Sequence, residues 1–237
     1  ATNGYETIIQ LTNTDLNEIK SRTGLATSIN DTYISIAAEL IRDVAGRPVT
    51  PIINAESKIA NNFTADTTQP RLKEFFLNVN NGRLTFAFTE TVNISTLNVS
   101  VFTLQNTANL ALATETLSLT GATPMLTGFE DTFDVELTTD ALNMLKTSTS
   151  LGVFSNNTFL AIAMGGVEDM NSNILEPVPS SAARMAAMHT PDTTLPVISN
   201  FTLDLDDEVL ILTVSESVSP MDVIPNRFTL HRFTSAL

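Results

Sequence analysis

Four acidic residues stand in register with one another: Asp66 and Glu90 recur as Asp192 and Glu216, each 126 positions further on. Carboxylates are hard oxygen ligands, and at the junctions of an array they could hold calcium and stiffen it. An aspartate that starts a turn and a glutamate that closes a strand end account for the same residues without a metal. No Asp-x-Asp pattern stands beside either junction. The acidic run Asp204, Asp206, Asp207 and Glu208 reads most simply as a solvated turn, because its counterpart Asn78, Asn80, Asn81 and Gly82 carries no charge. No cofactor is expected, with calcium at the junctions as the alternative reading. His189 and His231 do not match each other across the offset, so nothing positions a Ser-His-Asp arrangement. A phosphate-binding glycine loop, a Cys/His cluster and a His-Glu-x-x-His pattern are all missing. The chain is expected not to be an enzyme.

The other candidate chemistry is modification. Asn-x-Ser/Thr occurs at Asn30, Asn62, Asn93, Asn98, Asn156 and Asn200. Asn30 and Asn156 share one position of the offset, ahead of a strand-like run, where a loop would accommodate a bulky glycan. N-linked glycans are expected for a chain that passes through a eukaryotic secretory route, and Asn200 should face solvent because Phe201 beside it would point inward. The alternative is a Thr-rich, Asn-rich loop sequence in a bacterial protein.

The elements that must carry these residues repeat as well. Leu11-Thr-Asn-Thr-Asp-Leu-Asn-Glu-Ile-Lys20 lines up with Leu137-Thr-Thr-Asp-Ala-Leu-Asn-Met-Leu-Lys146, and Asp66-Thr-Thr-Gln-Pro70 with Asp192-Thr-Thr-Leu-Pro196. Phe102-Thr-Leu104 matches Phe228-Thr-Leu230, and 27 of the 111 overlapping positions are identical. Self-similarity at a fixed period marks an array of structural units. With Asp-Thr-Thr-x-Pro as the unit start, 66–191 is a whole unit, 1–65 the C-terminal half of a preceding one, and 192–237 the N-terminal strands of a following one. Leu112–Leu126 has no second copy in the sequence.

Within the unit, proline after Asp-Thr-Thr-x fixes φ and biases its predecessor to extended backbone, as a linker requires. Phe75, Leu77 and Val79 then alternate with polar residues, Asn80-Asn-Gly82 turns, and Leu84, Phe86 and Phe88 alternate again. Two period-two runs around Asn-Gly predict a hairpin. Phe201, Leu203 and Leu205, then Leu210, Leu212 and Val214, keep the pattern. Further strands are expected at Val99–Leu104, Thr114–Leu119, Thr132–Leu137, Thr158–Met164 and Arg184–His189. One short helix is expected at Thr139–Lys146, matched by Asn13–Lys20, capped by Thr139 or Asp140, with Leu142 and Leu145 turned to the core. About seven short strands in a unit of this size argue for a two-sheet sandwich, with a barrel as the alternative.

Composition narrows the function classes. A net charge of −14 disfavours nucleic acid, which needs clustered Lys and Arg. Cysteine is absent, which removes disulfides and thiolate metal sites but does not decide the compartment. No apolar run approaches the roughly 18 residues of a membrane span, and no basic amphipathic helix offers a membrane surface contact. With Trp absent and two Tyr, a sugar-stacking platform is disfavoured. Ala1 is neither a methionine start nor the opening of a signal peptide, so a processed product or an excerpt is expected.

Leu84-Thr-Phe-Ala-Phe-Thr-Glu-Thr-Val92 and Leu210-Ile-Leu-Thr-Val-Ser-Glu-Ser-Val218, each after Asp-Thr-Thr-x-Pro, resemble strands of tandem Ig-like repeats. Such modules occur in bacterial S-layer proteins and in long surface or filament proteins of algae and other protists. The resemblance implies an all-β fold of tandem Ig-like sandwich repeats with a period of 126 residues, each with one short helix. It implies a structural or adhesive role at the cell surface and carries no catalytic residues over. The Ig disulfide and buried Trp are missing, so an antibody-type domain is excluded.

A half sandwich bares strand edges and half a core, and such edges recruit other strands. The expectation is therefore a structural subunit of an extracellular fibre, whose partners are copies of itself joined head to tail, since a contact that does not close into a ring makes a filament. Stalk or spacer repeats of a cell-surface adhesin or receptor are the alternative, and an accessory module of a glycan-active enzyme is a third.

Overall fold

In a computed structural model of the chain, residues 6–232 are described, so the first five residues of the 1–65 segment and the last five of the 192–237 segment lie outside it. In chain order the regular elements are α1 (Asn13–Lys20), β1 (Tyr33–Ile34), β2 (Lys58–Ile59), β3 (Leu72–Asn78), β4 (Arg83–Asn93), β5 (Phe102–Gln105), β6 (Thr116–Ser118) and β7 (Thr123–Pro124). There follow β8 (Phe129–Glu136), α2 (Thr139–Thr147), β9 (Phe159–Ile162), β10 (Arg184–Met185), β11 (Met188–Thr190), β12 (Ile198–Asp204) and β13 (Val209–Val214). The fold is mostly β, with two α-helices among the described residues.

The alternating run that begins at Phe75 lies in β3 and just past its end, the chain turns at Gly82 with φ +70°, and it returns as β4. A positive φ suits glycine, and this hairpin needs one there. Two sheets result, ordered β11-β3-β4-β8-β7 and β10-β9-β5-β6. They share one apolar core: Phe75, Leu77, Leu84, Phe86, Phe133 and Val135 from the first sheet meet Phe102, Leu104, Leu160 and Ile162 from the second. The Phe86 ring lies 5.3 Å from Phe102 across the core and 6.2 Å from Phe133 on its own sheet. Each such side chain contributes about 1.5–3 kcal/mol by leaving water. The arrangement is sandwich-like, not a barrel.

Three expectations about element bounds and caps need correction. Arg184–His189 is two strands on two sheets: buried Ala186 donates to Thr158 O and Ala187 to Phe75 O as the chain crosses the core edge, so β10 joins β9 while β11 runs parallel to β3. The cap of α2 is Thr138, whose Oγ1 accepts from Ala141 N at 3.1 Å, one residue earlier than expected. Val99–Val101 is a 3-10 turn that precedes β5.

Several backbone elements lie 126 residues apart from a counterpart. α1 and α2 begin at 13 and 139, the 3-10 turns Ile29–Asp31 and Ser155–Asn157 match, and so do β1 and β9, β2 and β10, β12 and β3, β13 and β4. The bridges Ile36–Ile52 and Arg42–Pro48 reappear as Ile162–Val178 and Glu168–Ile174. Even the irregularity between Leu72 and Glu74 recurs between Ile198 and Asn200.

Burial does not recur. Phe75 is 0% exposed and Phe201 54%; Leu77 is 1% and Leu203 43%; Leu160 is 0% and Ile34 53%. The cause is simple: β1–β2 and β12–β13 are separate two-stranded sheets, and among the described residues no second sheet covers either. Phe201 is therefore not turned into a core, contrary to expectation, although Asn200 beside it is exposed.

Candidate functional site: a lysine clamp made twice

α1 is an eight-residue helix stabilised at its start by a capping box: Thr12 Oγ1 accepts from Asp15 N at 3.1 Å while the Asp15 carboxylate accepts from Thr12 N at 3.3 Å. Its last residue is Lys20. The helix lies against β4, with the Asn17 amide donating to Asp131 Oδ2 at 2.9 Å. From there the Lys20 ammonium reaches both Asp66 in the connector and Glu90 in β4, and all three side chains are largely buried. α2 repeats the construction. Lys146, in its last turn, lies 3.0 Å from Asp192 and 2.6 Å from Glu216. Each clamp joins a helix to the connector that follows it and to a glutamate, Glu90 within β4 in the first and Glu216 in the bend just past β13 in the second.

The connectors are shaped alike. Asp66 Oδ1 accepts from Thr68 N at 3.0 Å, and Asp192 Oδ1 from Thr194 N at 3.1 Å, the turn that an aspartate two residues upstream makes with its own backbone. Asp66 and Asp192 thus do start turns, and each also accepts a lysine.

At the first clamp there is a third carboxylate. Buried Asp169 brings an oxygen within 4.8 Å of those of Asp66 and Glu90. Its loop is tied to the connector, because the side-chain amides of Asn171 and Asn173 donate to Asp66 O at 3.3 and 3.1 Å. Asp169 Oδ1 in turn accepts from Asn171 N and Asn173 N, both at 2.8 Å.

Electrostatics follow from burial and pairing. Burial opposes the Lys20 ammonium, but bonds to Asp66 and Glu90 outweigh it and hold Lys20 above the usual lysine value. Burial also opposes the Asp66 carboxylate, yet Lys20 and the Thr68 amide bring it below the usual aspartate range. Glu90 goes the other way: burial, with Asp66 and Asp169 nearby, pushes it up despite Lys20. Glu90 is thus the weaker acid of the two that hold Lys20, and takes a proton before Asp66. Lys146 is raised and Asp192 lowered by the same balance, with burial opposing and the ion pairs prevailing. Three acids around one ammonium can hold a joint. The calcium ligands anticipated at this junction are engaged by an ammonium.

Of the sequence-predicted residues, the structure brings Asp66 and Glu90 to one clamp and Asp192 and Glu216 to the other. Lys20 and Lys146 were overlooked as their partners. The signal was available: both lysines are identical across the offset, in the last turn of the predicted helix. The sequons are scattered. Asn30 and Asn156 are exposed in the middle of matching 3-10 turns. Asn62 is exposed, and Asn200 is exposed on β12. Asn93 and Asn98 cap 3-10 turns, accepting from Ser95 N at 3.1 Å and Ser100 N at 3.2 Å. His189 is half-buried, its Nε2 2.7 Å from Gly152 O, and His231 is exposed.

No family model matches the chain, and no curated protein matches it. Among solved structures, the N-terminal part of the bacterial S-layer protein SbsC is similar over 63% of this chain and 33% of its own, at 14% identity and a TM-score of 0.33. The chain thus spans about one third of that S-layer chain. A likeness of that degree decides neither fold nor function. No described helix is long and apolar enough to cross a membrane.

Proposed function

We propose that this chain is a structural subunit of an extracellular fibre or surface filament, built from tandem Ig-like sandwich repeats and assembled head to tail through complementary partial repeats. The observation that carries the reading is the duplicated clamp. Two helices 126 residues apart each hold the connector that follows them with one lysine and two carboxylates, one from the connector and one in or just past the next hairpin. A joint made from the same lysine, aspartate and glutamate at successive boundaries would give every repeat the same orientation to the last, which is what a straight or evenly wound array requires. The apolar faces of β1–β2 and β12–β13 supply the assembly contact. Catalysis has no part in this reading, no resident metal is needed, and N-linked glycans at the exposed asparagines Asn30 and Asn156 would point away from the core.

The stalk of a surface adhesin is the second reading, supported by the same clamps, since they stiffen an array within one polypeptide without any exchange between copies. Negative-stain electron microscopy and light scattering of purified 1–237 over a concentration series separate the two. Filaments or a ladder of oligomers are expected. A monomer at every concentration would sink the fibre and leave the stalk.

A further inference from the structure

The second clamp is short of a group that the first one has. Asp169 stands beside Asp66 and Glu90, but no described acid stands in the equivalent place beside Asp192 and Glu216. Glu216 Oε1 is also buried with no hydrogen-bond partner among the described residues. The residue that matches Asp169 across the offset is Asp43, and its loop is already formed in the same shape. Asp43 Oδ1 accepts from Ala45 N at 2.9 Å and Arg47 N at 2.8 Å, as Asp169 Oδ1 does from Asn171 N and Asn173 N. Gly46 has φ +80° where Ser172 has φ +63°, and the flanking bridges Arg42–Pro48 and Glu168–Ile174 correspond. This loop sits on the exposed hairpin that links β1 and β2, with no sandwich behind it.

Resting on the head-to-tail reading, we infer that residues 33–64 of a second copy dock on β12–β13 and that their Asp43 loop completes the Lys146–Asp192–Glu216 clamp. The intact unit dictates the register. β11 pairs with β3 in parallel, Met188 opposite Phe76 and Thr190 opposite Asn78. Transposed by 126 residues, Asn62 of the incoming copy lies opposite Thr202, and Thr64 opposite Asp204. Asn93 N donates to Glu168 O and Glu176 N to Pro70 O in the intact unit. The transposed bonds run from Ser219 N to Arg42 O and from Thr50 N to Pro196 O. The contact covers Phe201 and Leu203 with the apolar side of β1, including Ile34, all bare in the single chain.

Charge fits the contact better than a copy of the first clamp would. Asp43 brings a third negative charge, but Arg47 replaces Asn173, the residue that donates to the connector carbonyl. The Arg47 guanidinium is exposed and paired to Asp43 at 2.6 Å. Its remaining N–H groups give Asp192 O and Glu216 Oε1 donors, the second of which has none. The completed clamp holds two cations against three carboxylates.

Single-cysteine chains test the register cleanly, because the sequence has no cysteine. Asn62→Cys and Thr202→Cys chains, mixed and oxidised, are expected to give a disulfide-linked dimer, whereas Asn62→Cys with Asn200→Cys, displaced by two residues along β12, gives at least severalfold less. Asp43→Asn and Arg47→Ala are each expected to weaken self-association about tenfold, the scale of one desolvated charge contact. Assembly without the Asn62–Thr202 link, or with equal linking at residue 200, overturns this register. Assembly undiminished in both loop variants overturns the clamp's completion. Either result leaves the fibre reading intact, while a failure to assemble at all removes both.

Discussion

Lys146 places its ammonium 2.6 Å from Glu216, seventy residues downstream, and Lys20 reaches across the same seventy residues to Glu90. The same reach tethers each helix to a chain segment far beyond it in sequence. Surface ion pairs carry little energy, but these are largely buried and share one cation between two anions.

Removing the cation should therefore cost more than removing an exposed lysine. Lys20→Ala leaves Asp66, Glu90 and Asp169 close together without a counter-charge. A loss of about 2 kcal/mol is expected in urea unfolding, below the range for a fully buried pair because Lys20 keeps some solvent contact. Asp66→Asn/Lys20→Met in combination should recover part of it. A loss no larger than that of an exposed pair such as Arg22–Glu18 would show that the clamp does not hold the joint.

The pH dependence has a definite sign on each flank. Asp66 and Asp192 are lowered in the fold, so they stabilise it above the ordinary aspartate value of 3.8, and that contribution decays as pH falls through their folded values. Lys20 and Lys146 are raised, so their contribution is complete below the ordinary lysine value of 10.5 and is lost as pH climbs through their folded values. Glu90, raised, opposes the aspartates modestly between them: its penalty is absent below the ordinary glutamate value of 4.5 and grows as pH rises through its folded value. Thermal melts from pH 2 to 11 should give a plateau with a fall on both sides. In Lys20→Ala the alkaline fall should shrink.

Metal dependence separates an ammonium clamp from a calcium joint. With Lys20 on Asp66 and Glu90, millimolar calcium or a chelator should shift the wild-type melting temperature by less than about 1 °C, since a ligand stabilises only by binding the native state. A rise of several degrees with calcium would mean that the acids, not the lysine, organise the joint.

Much of the fold could be read from residue order. The alternation of Phe75, Leu77, Val79 and Leu84, Phe86, Phe88 around Asn-Gly is purely local, and it forms the hairpin it predicts. The matched acids led to the joints for a similar reason, since their spacing alone set them apart. What residue order did not show is non-local. The split of Arg184–His189 between two sheets rests on buried Ala186 at the core edge and on backbone bonds from Ala186 to Thr158 and from Ala187 to Phe75, which no periodicity encodes. The pairing of Lys20 with Asp66 joins residues far apart in sequence, and the bare state of Phe201 depends on having no sheet above it among the described residues.

Glu208 offers a test of the offset at one backbone angle. It occupies the place of Gly82 in the β3–β4 turn and takes the same left-handed conformation, φ +55° against φ +70°. For a residue with a Cβ that conformation costs about 1 kcal/mol, and the neighbouring Asp204, whose Oδ1 accepts from Asp206 N and Asp207 N, holds the turn in shape. Glu208→Gly should relieve the strain and remove one of four clustered charges. Amide exchange across β12–β13 should slow about fivefold, the equivalent of about 1 kcal/mol in local opening. Unchanged or faster exchange would mean that glycine's entropy in the open state outweighs the relief, and that the two turns, though matched in position, are held by different forces.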